Sequence, residues 1–303
     1  MKALDLFFAA RPMLHLPVWS VYLTSLHYHH KLSGGSFGGE ELLVMSLLSL
    51  LIAGAYMLNQ VTDRETDRLN NKLGFLQKGF LTDTLLTGAY LVVTVAALSV
   101  APFISGTTLA IFVQIAVLGV LYSMPPFRLK DRPVAGMLAN AYVFGWLIGL
   151  SVMPHITIHN AGLLGWDSPF YFFLSVAAIH VLTTLPDRKG DAVVGKRTIA
   201  VVWPRWACLG LALSLLIASA LVAFGSGLYE LSYVSVVSSI AVFVTTAIPS
   251  KRLELLSTKL PILLLTVLAA YWYLWYGLFI VVLIAGTRIY FSKRFGMVYP
   301  RLA

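Results

Sequence analysis

Cysteine is nearly absent from this 303-residue sequence. Cys208 stands alone, which excludes an internal disulfide and any metal site built on several cysteines. Charge is almost as scarce: Asp, Glu, Lys and Arg make up 12% of the chain against 58% hydrophobic residues, with a mean hydropathy of +0.82. That balance excludes an ordinary soluble domain and leaves a polytopic membrane protein. The net charge is +9, yet the positive residues are scattered among apolar spans and offer no basic face to a nucleic acid. Anchoring in a lipid bilayer with an anionic leaflet accounts for them. Met1 to Arg11 has no small-residue cleavage site ahead of a soluble domain, so the first helix is expected to act as its own insertion signal. No long polar stretch interrupts the spans, and residues 1–303 are read as one transmembrane domain.

A bilayer core demands about 17 to 25 apolar residues of a helix. Nine spans are expected on that basis, at 12–30, 41–60, 82–103, 107–124, 134–154, 168–186, 205–225, 230–249 and 260–288. The last is long enough for a hairpin, although two full crossings would be cramped. Turn chemistry separates the spans: Ser33-Gly34-Gly35-Ser36, Gly106, Pro125-Pro126 and Pro249. With the amino terminus in the cytoplasm, fifteen Lys and Arg fall in cytoplasmic loops: 64, 68, 72 and 78, then 128, 130 and 132, then 188, 189, 196, 197 and 205, then 251, 252 and 259. Lys31 is alone on the other side, a strong positive-inside signal. Arg288, Lys293, Arg294 and Arg301 fall on the wrong side of nine crossings, and a tenth would correct them.

Against this apolar background the acids stand out. Asn59, Asp63 and Asp67 recur every fourth residue and share one helix face at the end of a span. A second pair, Asp187 and Asp191, ends another span on the same predicted side, with the loop Tyr122 to Lys130 between them in sequence. A charged helix end at the membrane surface would explain either motif alone. Two together mark a site, because carboxylates beside a membrane core are costly unless paired, metal-bound or in a wet cavity. Their oxygens suit Mg²⁺, which keeps several waters and is shared with substrate phosphates. No paired His at zinc spacing competes. The expected ligand is a phosphate or diphosphate ester, and cations among Arg64, Arg68, Lys72, Arg128, Lys130, Arg188, Lys189, Lys196 and Arg197 that face the cavity would help neutralise it.

Asn59-Gln60-x-x-Asp63-x-x-x-Asp67, Tyr122-Ser123-x-Pro125-Pro126-x-Arg128-x-Lys130 and Asp187-x-x-Gly190-Asp191-x-x-x-Gly195-Lys196-Arg197-Thr198 occur in that order, and the sequence resembles the UbiA superfamily of intramembrane prenyltransferases. The resemblance implies an all-α bundle of nine transmembrane helices around a central cavity open laterally to lipid. It further implies an enzyme that binds an isoprenyl diphosphate through two Mg²⁺ ions and ionises it to an allylic cation, which a lipophilic acceptor captures. Carried over, Asn59, Asp63 and Asp67 would hold one Mg²⁺, and Asp187 with Asp191 the other; Asp63 and Asp191 are the acids on which turnover should depend. Arg128 and Lys130 are expected on the diphosphate, with Lys189, Arg68 and Asn59 as further substrate contacts. Tyr122 would face the allylic cation with its ring. Asn71-Lys72-Leu73-Gly74-Phe75-Leu76-Gln77-Lys78-Gly79 departs from the Arg-Pro pair and small-residue-Gly step of many members. That loop helps cap the pocket and is where acceptor choice is expected to lie.

Other residues have two readings. Arg11-Pro12 resembles the family's Arg-Pro opening, which would direct Arg11 at the acceptor, or Arg11 is a snorkelling interfacial arginine. Asn140 faces the cavity or forms an interhelical hydrogen bond. His27, His29 and His30 lie opposite the acids and read as an interfacial cluster. Tyr271, Trp272, Tyr273, Trp275 and Tyr276 line a prenyl tunnel or form an aromatic belt. An aromatic quinone precursor is the favoured acceptor; the alternatives are an ether-lipid glycerol phosphate and, third, haem or chlorophyll side-chain prenylation. A secondary transporter would instead place its ionisable groups near the midplane. The Asp-Gly and Ala-Arg signature of CDP-alcohol phosphotransferases is missing, hydropathy excludes soluble prenyl synthases, and a scaffold would leave the acids without a role.

Overall fold

A chain dissolved in lipid must satisfy its backbone amides internally, and helices do so within one segment. The computed structural model describes residues 1–69, 74–153 and 165–300, with the side chains of Thr66 and Leu69 excepted, and no strand occurs among them. In chain order the helices are α1 Lys2–Ala9, α2 His15–Ser33, α3 Gly39–Thr62, α4 Arg64–Leu69, α5 Asp83–Ile104 and α6 Gly106–Ser123. There follow α7 Pro133–Leu150, α8 Asp167–Val193, α9 Ile199–Val202, α10 Arg205–Gly225, α11 Tyr229–Ala247, α12 Lys251–Trp272 and α13 Leu274–Phe295.

The ends of these helices follow local chemistry. Thr82 Oγ1 accepts from Leu85 N at 3.2 Å and opens α5, and Ser105 Oγ accepts from Thr108 N at 2.9 Å and opens α6. Glu41 reaches back to Gly38 N at 2.9 Å at the start of α3. Pro133 stands in the first turn of α7. Gly34 and Gly296, both with positive φ, end α2 and α13.

Nine helices among the described residues are long and apolar enough to cross a membrane. They are not the nine expected spans. The expected final span at 260–288 divides at Tyr273 into α12 and α13, each 22 residues long. Residues 271–276 carry no Gly, Pro or charge, so hydropathy alone shows no break there. Conversely, the expected first span forms α2 but falls outside the nine, because this helix is polar and interior. Its Ser20 Oγ lies 3.0 Å from Tyr276 Oη and 3.1 Å from Thr266 Oγ1, while Val18, Tyr22, Leu23 and Leu26 are buried in the main core.

With α2 included the described residues form ten long helices, and Arg288, Lys293 and Arg294 no longer fall on the wrong side. The bidentate pair of Arg294 with Asp5 ties the end of α13 to α1, at 2.9 Å and 2.8 Å. Tyr290 also bonds Asp5, and Phe8 stacks on Tyr290 at 3.9 Å. Lys293 and Arg294 therefore lie at the end that holds both aspartate motifs, while Arg301 lies outside the described residues. Among the described residues Lys31 remains the single Lys or Arg at the opposite end. The outer surface carries Phe103 at 88% and Val92 at 69% exposure; a belt of such residues is tolerated where the surroundings are lipid. The chain is an integral membrane protein. The aromatic run from Tyr271 to Tyr276 belongs to the far end, where Trp272 stacks on His27 at 3.8 Å and Trp275 meets Phe37 at 5.2 Å.

Candidate active site

Asn59 of the first motif lies in the last turn of α3, Asp63 is the residue that ends the helix, and Asp67 belongs to α4. The Asp63 carboxylate is 8% exposed and faces a turn that arrives from the far side of α6. That turn is Leu129–Asp131, entered through Arg128 in the left-handed region at φ 39°. The conformation places two cations side by side on the motif. Lys130 Nζ donates to Asn59 Oδ1 at 2.7 Å and lies 2.8 Å from Asp63 Oδ1, with Thr62 Oγ1 at 3.2 Å. Arg128 donates from Nη2 to Asp63 Oδ1 at 3.3 Å and from Nε to Asp131 Oδ2 at 2.8 Å. Burial pulls the Lys130 ammonium below the ordinary lysine value, and Asp63 pulls it partly back.

α7 fixes the turn. A Cβ on Gly136 would sit 2.8 Å from Leu129 O, so only glycine lets the helix lie this close. Further along, Tyr142–Leu147 widens to a π-helix, a feature common at functional sites. Asn140 lines the cavity together with Tyr122.

Below the cations a cavity of about 230 Å³ is lined by Asn59, Tyr122, Asn140, Tyr56 and Arg11. A second, more apolar cavity of about 250 Å³ shares Tyr56, Asn140 and Phe144 with it and runs between α2, α8, α11 and α12. A polar head with an apolar tail fits this pair.

The second motif is built differently. Asp191 is buried near the end of α8, accepts from Thr198 Oγ1 at 3.3 Å and has its carbonyl on Lys196 N at 2.9 Å. Asp187 and Lys189 are exposed on the same helix. α8 packs on α7, and among the described residues no three His, Cys, Asp or Glu gather closely enough to hold a metal. Arg68 turns outward onto Glu65 at 3.1 Å, both strongly exposed. Asp67 lines a separate chamber with Arg11. The structure thus brings Asn59, Asp63, Arg128 and Lys130 together, sets Tyr122 and Arg11 on the adjoining cavity, pairs Arg68 with Glu65, and leaves Asp187 and Lys189 exposed on α8. Residues 70–73, which include Asn71 and Lys72 of the capping loop, lie outside the described residues.

The profile of the UbiA prenyltransferase family matches residues 31–258. The chain belongs to the UbiA prenyltransferase family. Among UbiA relatives, the probable homogentisate phytyltransferase 2 of Oryza sativa subsp. japonica is 34% identical over 51% of this chain and 43% of its own length. The digeranylgeranylglyceryl phosphate synthase of Methanoculleus marisnigri is 28% identical over 55% of this chain and 58% of its own. The chain thus spans about half the length of the curated relatives it matches. A solved UbiA homologue from Archaeoglobus fulgidus, bound to DMAPP and Mg²⁺, superposes with a TM-score of 0.67 at 18% identity, over 88% of this chain and 100% of that one. At that identity the likeness is one of fold.

Sequence reasoning missed Thr62, Ser123, Asp131 and Tyr56. Asp131 was detectable, since it stands three residues after Arg128 in the same motif. Tyr56 was not, because an aromatic residue in an apolar span carries no signal of facing a cavity.

Proposed function

We propose that this chain transfers a prenyl group from a polyisoprenyl diphosphate to a lipophilic acceptor, an aromatic quinone precursor, in a Mg²⁺-dependent reaction at the cytoplasmic end of a cell-membrane bundle. One observation carries the reading: a buried ammonium rests on Asn59 Oδ1 and Asp63 Oδ1, and Asn59 lines a cavity that shares Tyr56, Asn140 and Phe144 with the more apolar one. Two hard oxygens converging on a cation are also the donor set for Mg²⁺. Mg²⁺ is commonly held by one or two carboxylates together with substrate phosphates, so the motifs need not form an all-protein cage. Asn59, Asp63 and Asp67 would hold one ion and Asp187 with Asp191 the other, and Mg²⁺ would supply charge neutralisation of the diphosphate.

The chain's own residues do the rest. Lys130 and Arg128 pass from Asp63 to the diphosphate oxygens. The C1–O bond then breaks heterolytically, the electron pair leaves with the diphosphate, and Tyr122 presents its ring to the allylic cation. The acceptor's electron pair forms the new carbon bond and its displaced proton leaves to solvent. The apolar cavity holds the polyene away from water, which would otherwise trap the cation.

Asp63→Ala and Asp191→Ala should each lower diphosphate release by about 100-fold or more while the protein keeps its helicity and its elution as a folded species. Turnover retained in both variants would overturn the reading. A glycerol-phosphate ether is the alternative acceptor, supported by the Methanoculleus relative, and a panel of acceptors with one labelled donor separates the two.

A further inference from the structure

The chamber of Asp67 and Arg11, walled by Phe8 of α1 and Phe291 of α13, carries charges of both signs. The two cavities that meet beneath the first motif are different: no Asp, Glu or Lys lines either, and Arg11 is their one cation. Against that lining one side chain stands out. His180 of α8 is half-buried and faces the tail cavity. Its carbonyl accepts from Thr183 Oγ1 at 2.7 Å, but its ring has no hydrogen bond or ion pair among the described residues. An ionisable side chain inside a membrane is costly and marks a functional site unless a partner accounts for it. Here none does.

Helix geometry gives its depth. His180 stands seven residues before Asp187 on α8, and Tyr56 stands seven residues before Asp63 on α3. At 1.5 Å per residue each lies about 10 Å inward from its acid. Tyr56 and Asn140 are walls that the head and tail cavities share, and His180 lines the tail cavity together with them. Tyr171, nine residues earlier on α8, lines the deep end. The imidazole therefore belongs to the neck between head and tail, where the reacting end of the chain must lie.

A proton has to be disposed of at that neck. Capture of an allylic cation by an acceptor releases one, and a cavity that excludes water leaves no solvent to receive it directly. Other bases among the described residues are occupied or misplaced. Asp63 is held by Lys130 and Arg128. His15 Nε2 lies 3.1 Å from Ala10 O, and His27, His29 and His30 belong to the far end of α2. Imidazole is the side chain whose ordinary titration suits it to take a proton near neutral pH.

We propose that His180 is the base that takes the acceptor's proton. The acceptor's electron pair forms the bond to C1 of the prenyl group. Its C–H or O–H bond then breaks, the electrons stay with the acceptor, and the proton moves to the ring nitrogen that carries no hydrogen, from which it passes to solvent. The proposal rests on the transferase reading and adds to it a catalytic residue that neither acid motif contains.

The test uses the full chain in detergent with geranylgeranyl diphosphate and Mg²⁺, and offers 2,5-dihydroxyphenylacetate and geranylgeranylglyceryl phosphate as acceptors. His180→Gln and His180→Phe should each bind the donor as the parent does and keep its Tm, since the ring has no protein partner. Prenylated product should form about 100-fold more slowly, as loss of a positioned base requires. Deuterium on the acceptor atom that becomes prenylated should slow the variants more than the parent, because proton removal has become the slow step. A residue that only shapes the cavity would leave that isotope effect unchanged. Variants that match the parent's rate, that lose donor affinity along with product, or that show no rise in the isotope effect overturn the proposal, while transfer by the parent keeps the transferase reading in place. A parent that prenylates neither acceptor overturns both.

Discussion

Arg11 and Arg128 are the two non-glycine residues among those described that hold positive φ, at 55° and 39°. Such a conformation costs about 1–3 kcal/mol and persists where the surroundings over-determine it. At Arg128 the surroundings are visible, since Asp131 and Asp63 both hold the guanidinium. Arg128→Gly removes the strain and the charge together. Its Tm should therefore shift by only a few degrees, while the KM for the prenyl diphosphate rises about tenfold or more, as loss of a charge-assisted contact of about 1.5–3 kcal/mol requires. A large fall in Tm with unchanged KM would show the residue to be structural. Lys130 makes a different prediction. Its ammonium occupies the point where Asn59 and Asp63 converge, so Lys130→Ala should lower the Mg²⁺ concentration needed for half-maximal activity and raise the donor KM, a split read from two titrations.

At the scale of elements, close approach between backbones decides the geometry. Gly136 lets α7 lie against Leu129, and Gly145 lets the π-helical turn lie against α8, where a Cβ would meet Phe172 O at 2.5 Å. Gly136→Ala should displace the turn bearing Lys130. A cost of about 1–3 kcal/mol is expected, because overpacking against backbone cannot be relieved by a rotamer change, with a fall in activity larger than the fall in Tm implies. The lock between α1 and α13 is of another kind. Asp5 is fully buried and bonded by Arg294 and Tyr290, so Asp5→Ala strands the partner charge and should cost about 3–5 kcal/mol. Limited proteolysis should then cut near Ala10 faster than in the parent; equal rates would mean that the lock does not hold the chamber shut. Sequence gave no sign of this pair, since 289 residues separate its members.

For the whole molecule, ten long helices among the described residues put the start of α1 and the end of α13 at one end of the bundle. The buried Cys208 can be replaced by Ala, and single cysteines placed at Lys2 and Met297 should then be labelled from the same side by an impermeant reagent. Labelling from opposite sides would overturn the tenth crossing. Much of this molecule was nevertheless legible beforehand. Hydropathy identified the solvent as lipid and located most spans, because a helix in a bilayer is judged on a local sum over about 20 residues. The spacing of Asn59 and Asp63 marked the end of α3, although Asp67 falls on α4 and lines a separate chamber, and the three motifs identified the family. What the chain alone did not determine were contacts across long separations. Lys130 on Asp63, the division of the last span at Tyr273, the polar interior role of α2 and the chamber between α1 and α13 all depend on which helix packs beside which. Helix formation in lipid is a local property, whereas the cavity between helices is set by side-chain volumes and backbone approach that only the packed bundle brings together.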